Sequence, residues 1–183
     1  MELDKRPHCT GNFFGTEDEK IFNGKNSEEF NTEISLETIE LPHKGRAVVA
    51  KKIFEKGAPV LKFHGQKKHV SELTDLTHAL QIDRQMFLAP SGQIDDYVNH
   101  SCNPNTGIRN DPEGGVYLFA LKTISLGDEI TFDYATTQSG GFLTMVCECG
   151  EPHCRGIIGD FKDLPLKKQQ LYRTLGALLD YLY

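Results

Sequence analysis

The chain predicts a mostly β fold, made of several small sheets and completed by a small α-helical part at the C-terminal end. Three observations predict it. From Ile34 onward, short runs rich in β-branched and aromatic residues recur, and Gly, Pro and Asp separate them. Nothing alternates with these runs in the way the helices of a βαβ pattern would. After Pro165, Leu171, Leu175, Leu178, Leu179 and Leu182 return at helical spacing.

Taken in order, residues 1–32 read as an N-terminal extension, rich in Asn and punctuated by Gly. Its isolated Phe13, Phe14, Phe22 and Phe30 suit docking against the body of the protein. Strands are expected at Ile34 to Ile39, Arg46 to Ile53, Pro59 to Phe63, Ala79 to Ile82, Met86 to Leu88, Val116 to Leu121 and Glu129 to Asp133. Residues 162–183 are expected to form a helix whose role is packing.

With 183 residues, 38% of them apolar, the chain has the size of one domain with a sizeable core. No apolar run approaches a membrane span, and Met1 to Lys20 is polar and acidic rather than signal-like. A membrane partner is not expected. Charge is uneven. Residues 1–43 carry ten acids and four bases (−6), 44–69 eight bases and one acid (+7), and 111–163 nine acids and three bases (−6). The last stretch could attract a Lys/Arg-rich peptide. The basic stretch lacks the interleaved aromatics suited to base stacking, so nucleic acid is disfavoured. Solvated surface explains such runs equally well.

The cysteines carry the firmest chemistry. Cys147, Cys149 and Cys154 form C-x-C-x4-C in one Gly-containing loop, and the first two are too close for an easy disulfide. Zinc favours four thiolates in a tetrahedron, and such closed sites contribute folding energy directly. Cys102, in a turn marked by Pro104 and its Asn neighbours, is the candidate fourth ligand. Cys9 is left over as a free thiol. Reduced cysteines argue for a cytoplasmic or nuclear compartment, with export by a non-classical route left open.

Three separated segments together resemble one family. They are Asn99-His100-Ser101-Cys102-Asn103-Pro104-Asn105, Gly127-Asp128-Glu129-Ile130-Thr131-Phe132-Asp133-Tyr134, and the cysteine loop ending in Cys154-Arg155-Gly156. Their order and combination are similar to the catalytic core and post-SET zinc loop of SET-domain protein-lysine methyltransferases. The likeness runs from about Glu33 to Phe161, without the pre-SET cysteine cluster of the large histone enzymes. It implies a SET fold of short sheets with a knot-like C-terminal core. The resulting organisation is extension 1–32, catalytic domain 33–136, post-SET zinc loop 137–161 and C-terminal helix 162–183.

The resemblance also implies an activity: methyl transfer from S-adenosylmethionine to a lysine ε-amine of a protein or peptide, a histone tail being one candidate. A non-histone substrate, or a SET-like zinc module with weak or no catalysis, are the alternatives; oligomeric state is left open. By resemblance, Lys44, Gly45, Arg46 and Ala47 form the turn near the amino-acid end of the cofactor, with Ala47 where a second glycine is usual. Asn99 and His100 would grip the cofactor through the amide, a ring nitrogen and main-chain groups. Tyr97 would restore polarity lost because Asp96 stands where a basic residue is common. Phe142 and Met145 are candidates to cover the adenine. Tyr134 would orient the amine beside the sulfonium methyl. Phe132, lacking a hydroxyl, would leave room for more than one methyl group. Phe63, in Lys62-Phe63-His64-Gly65-Gln66, removes a second hydroxyl that the family often has.

Overall fold

The computed structural model describes residues 35–42 and 45–183. The phenylalanines of the extension, Cys9 and Lys44 lie outside the described residues. In chain order the strands are β1 (Leu36–Leu41), β2 (Gly45–Ala50), β3 (Pro59–Lys62), β4 (Lys67–His69), β5 (Leu80–Gln81) and β6 (Met86–Leu88). They continue as β7 (Asn99–His100), β8 (Thr106–Asn110), β9 (Val116–Ala120), β10 (Thr131–Phe132), β11 (Met145–Val146) and β12 (Ile157–Ile158), followed by helix α1 (Leu166–Leu175).

These strands make small sheets, as expected. β1 and β2 pair antiparallel from Leu36↔Ala50 to Leu41↔Gly45. Three-stranded sheets form in the orders β3-β9-β8 and β4-β6-β5, and two further pairs are β10-β7 and β11-β12. Pairing of β7 with β10 is parallel, although some thirty residues separate them, so a late segment runs back beside an earlier one.

Strand β9 shows how period-two alternation builds two cores from one strand. Val116, Leu118 and Ala120 face a cluster with Val48, Leu61, Ile108, Ile124, Ile130 and Phe132. Tyr117 and Phe119 face the other way, onto Phe161, Leu164, Tyr172, Ala177 and Leu178. Both faces are covered, so every β9 residue is buried.

Several expectations need correction. The 162–183 segment is not one helix: α1 stops at Leu175, where Gly176 adopts φ +57° and its N–H returns to the Arg173 carbonyl. A left-handed cap of this kind suits Gly and ends the helix. Leu178 and Leu179 are buried beyond that stop, in non-helical chain, whereas Leu171 on the helix is 45% exposed. Their leucine spacing therefore served two different structures. The expected strand at Glu129 to Asp133 shrinks to its central two residues, and that at Ala79 to Ile82 does likewise. β8 was not expected, because Thr-Gly-Ile-Arg-Asn carries no apolar run. Its Gly107 has a packing reason: a Cβ there would sit 2.6 Å from the Ala177 side chain.

Candidate functional site

The site grows from the β7–β10 junction. A two-residue parallel pair supplies very few ladder hydrogen bonds, so side chains must fix it. Asn105 does so from the turn after β7. Its amide donates to the Glu129 carbonyl (2.9 Å), and its Oδ1 accepts from the Thr131 backbone N–H (3.0 Å). Thr106 donates its hydroxyl to the Thr131 carbonyl at 2.8 Å. Asn99 donates its amide hydrogens to the Arg46 carbonyl (3.0 Å) and the Glu129 carboxylate (2.9 Å), joining β2 to the same junction. Asn105 and Thr106 were not singled out in the sequence. Asn105 stood inside the quoted motif, and its two-faced amide was the available signal.

His100 sits at the centre of this junction and is buried. Its Nδ1 accepts the Tyr134 backbone N–H at 3.2 Å, and its Nε2 lies 3.3 Å from Cys102 Sγ. Burial holds the ring down at about 4 against the opposing pull of Asp133, so it is neutral near pH 7. A neutral imidazole has one lone-pair nitrogen. Since Nδ1 uses it for Tyr134, Nε2 carries the hydrogen and points it at sulfur. Both ring nitrogens are thus engaged inside the protein, and only main-chain groups of His100 remain for a ligand.

Tyr134 follows β10 and begins a single 3-10 turn capped by Asp133. Its ring packs between Phe132 (4.9 Å between centroids) and His100 (5.3 Å). Its hydroxyl donates to the Val98 carbonyl at 2.8 Å. Burial pushes the phenol well above its usual range, which keeps it a neutral donor. Phe132 is buried and also meets Phe63 edge-on at 5.8 Å. No hydroxyl stands on either ring beside Tyr134.

At the turn expected to hold a cofactor, Gly45 takes φ +70° and Ala47 does not leave the ordinary region, being a fully buried strand residue. The missing second glycine therefore costs nothing here. Arg46 reaches over Tyr97, with its guanidinium 4.8 Å from the ring centroid and its Nη1 donating to the Tyr97 hydroxyl at 2.7 Å. A pocket of about 300 Å³ lies beside His100, Ser101, Glu129, Cys149 and Glu151. Phe142 lies on a second cavity. It packs on Phe87 and lines a larger, roughly 900 Å³ cavity with Met86 and Phe161, while Met145 is 39% exposed on β11.

The three cysteines of the loop meet Cys102. Cys102 and Cys147 are buried with Ile158, and Cys149 and Cys154 pack against them. Their chemistry fits zinc. Bonds of about 2.3 Å in a tetrahedron require sulfur–sulfur edges of about 3.8 Å, and Cys102 Sγ lies 3.7 Å from Cys147 Sγ. Backbone N–H groups of Arg155 and Gly156 donate to the sulfurs of Cys102 and Cys154, each at 3.4 Å, as suits thiolates. The donor atoms of His100, Cys102, Cys147 and Cys149 all lie within 4.8 Å of one another. His100, with the hydrogen on Nε2, offers no lone pair there, and Cys154 stands outside that set, packed against the same cluster with its Sγ 3.6 Å from the Cys147 carbonyl. Burial raises the Cys102 and Cys147 thiols, so without a cation these sulfurs would stay protonated.

A half-buried tyrosine beside a parallel strand closure, and a three-cysteine loop that meets Cys102, define a recognisable class. The SET-domain family model matches residues 45–135, and the chain belongs to the SET-domain family. The chain is 35% identical over 99 residues to the "Histone-lysine N-methyltransferase, H3 lysine-36 specific" of Mus musculus, covering 52% of this chain and 4% of that protein. It is 28% identical over 144 residues to the histone-lysine N-methyltransferase ASHH3 of Arabidopsis thaliana, covering 68% of this chain and 38% of that one. This chain thus spans well under half the length of these relatives. Among solved structures it is similar to KRYPTONITE in complex with mCHG DNA and SAH (TM-score 0.58, 25% identity, 67% of this chain and 28% of that one). The methyltransferase domain of human SETMAR shares the fold (TM-score 0.57, 21% identity, 68% of this chain and 58% of that one).

Proposed function

We propose that this protein is a protein-lysine N-methyltransferase that uses S-adenosylmethionine and holds one structural zinc ion. The observation that carries the reading is the placement of the Tyr134 hydroxyl. It is fixed to the Val98 carbonyl, one residue before Asn99 and His100, and walled by apolar rings. When bound, S-adenosylmethionine supplies an electrophilic methyl carbon. The chain's residues do the remainder. Main-chain groups of Gly45, Arg46, Ala47, Asn99 and His100 hold the donor, with Tyr97 kept in place by Arg46. Lys44 extends the same turn in sequence. The Tyr134 hydroxyl aims the amine lone pair in line with the methyl, and the apolar rings exclude water. A lysine near its ordinary pKa of about 10.4 must first lose a proton, which a desolvated site favours. Cys102, Cys147, Cys149 and Cys154 hold the zinc, which ties the late loop to the turn after His100.

The relatives named for histone methylation support a histone tail as substrate, and the acidic stretch 111–163 is suited to a basic peptide. The absence of hydroxyls on Phe63 and Phe132 supports di- or trimethyl-lysine as product; a product limited to one methyl group, by mass spectrometry, would overturn that point. Reduced, metal-ready thiols support work in the cytoplasm or nucleus. No helix among the described residues is long and apolar enough to cross a membrane.

Labelled-methyl transfer from S-adenosylmethionine into histones and into a whole-cell lysate tests the activity. Tyr134→Phe should lose it while zinc content and the circular-dichroism spectrum stay unchanged. A Tyr134→Phe protein as active as the natural one would refute the role of the tyrosine. Donor binding without transfer to any lysine would favour a non-catalytic SET-like module.

A further inference from the structure

Between Phe132 and Tyr134 stands Asp133, whose side chain is completely buried. Its carboxylate accepts from Arg155 twice, Nη1 to Oδ2 and Nη2 to Oδ1, both at 2.7 Å. The Tyr172 hydroxyl donates to Oδ2 at 2.9 Å, and the Ala135 N–H donates to Oδ1 at 3.2 Å. These donors belong to three different parts of the chain. Arg155 directly follows Cys154, and its own backbone N–H points at Cys102 Sγ. Tyr172 lies on α1, one turn after Lys168, whose ammonium donates to the Cys102 carbonyl at 2.8 Å. Ala135 lies in the turn that Tyr134 begins.

A buried ion pair of this kind is weak evidence for stability, because apolar residues of equal volume often do as well. What a forked guanidinium and a hydroxyl on one carboxylate do supply is geometry. We propose that Asp133 is a positioning residue, gripped by Arg155 and Tyr172, that sets where the metal loop and α1 sit relative to Tyr134. Helix α1 is then more than packing: its Lys168 and Tyr172 brace the metal-bearing turn and the tyrosine-bearing strand together. The kinetic arm of the test rests on the methyl-transfer reading, and the metal arm does not.

The experiment compares Tyr172→Phe and Arg155→Lys with the natural protein, because Asp133→Asn risks misfolding. Tyr181→Phe serves as control. It deletes a hydroxyl bond to the Thr137 carbonyl at 2.5 Å, at the last residue of the turn that Tyr134 begins. Zinc affinity is read by competition with a chromogenic chelator. Losing a direct outer partner of a metal ligand typically costs about 10–100-fold in metal affinity. Arg155→Lys keeps the backbone N–H on Cys102 and loses only the fork on Asp133, so we expect a loss at the low end, about tenfold, and a smaller one for Tyr172→Phe, with the control within twofold. In transfer assays both should raise KM for S-adenosylmethionine more than they lower kcat. Zinc affinity unchanged in both folded variants would overturn the proposal. So would an equal loss in Tyr181→Phe, which would indicate general destabilisation. If the natural protein transferred no methyl group, the activity reading would fail and the zinc result would still decide this one.

Discussion

Replacing Asn105 with Ala tests how the β7–β10 junction is held. The side chain is 8% exposed. It bridges the Glu129 carbonyl and the Thr131 N–H, with the Thr131 hydroxyl also turned to its Oδ1 at 3.4 Å. Truncation removes the Asn105 partner from one half-buried backbone acceptor and one half-buried donor. Each such loss costs up to about 1–3 kcal/mol, so the sum is at most about 2–6 kcal/mol. For a domain of this size, one kcal/mol lowers Tm by about 2–4 °C, so a fall on the order of 10 °C follows. Asn105→Asp keeps the acceptor for Thr131 but turns an oxygen toward the Glu129 carbonyl, so it should fare no better at neutral pH. Asn103→Ala is the control. Its side chain bonds Glu151 at the surface (3.3 Å) and should matter by less than about 0.5 kcal/mol. Urea unfolding followed by circular dichroism, with zinc in excess, measures all three. An Asn105→Ala protein within about 0.5 kcal/mol of the natural one would refute the claim that side chains, not the short ladder, hold this closure.

Further expectations concern the metal, the backbone and acid. Metal analysis should find one zinc per chain, and serine at Cys102, Cys147, Cys149 or Cys154 should each reduce it; full occupancy in Cys154→Ser would return His100 to the ligand set. Gly65 has φ +127°, and a Cβ there would lie 2.2 Å from the Ala89 carbonyl oxygen. Gly65→Ala should therefore destabilise by about 2–4 kcal/mol in chemical unfolding. The hydrogen bond from Lys62 holds the Asp111 carboxyl below its usual range. A depressed carboxyl stabilises the fold above its ordinary pKa and loses that contribution as pH falls through the folded value. Lys62→Met should flatten the loss of stability below about pH 4; an unchanged acid profile would contradict this.

Legibility differed by element, for physical reasons. Met86 to Leu88 was read with its true bounds because three large apolar residues in a row leave a strand little alternative. β8 and β7 were not visible, since Thr-Gly-Ile-Arg-Asn and Asn-His have no apolar pattern and become strands through their partners. The C-terminal leucines kept a helical period past Gly176, yet the left-handed cap there sends Leu178 and Leu179 into the core by another path. From its place near the cysteine loop, Phe142 was a candidate to cover the adenine. Its contact with Phe87, on the larger cavity, was visible only in the structure.

Residue type and spacing by themselves determined the metal chemistry, because three thiols within one short loop have few other uses in a reduced protein. The resemblance of the three motifs to one family also marked Tyr134 and the Asn99-His100 pair as members of one site. Only the tertiary structure decided how those parts act on each other. It set which nitrogen of His100 accepts from Tyr134, it turned the amide of Asn105 into the fastener of a two-residue strand pair, and it brought Arg155 and Tyr172 onto Asp133. Such choices depend on distances between segments 20 to 40 residues apart, and directional hydrogen bonds exist only once the chain has brought those segments together.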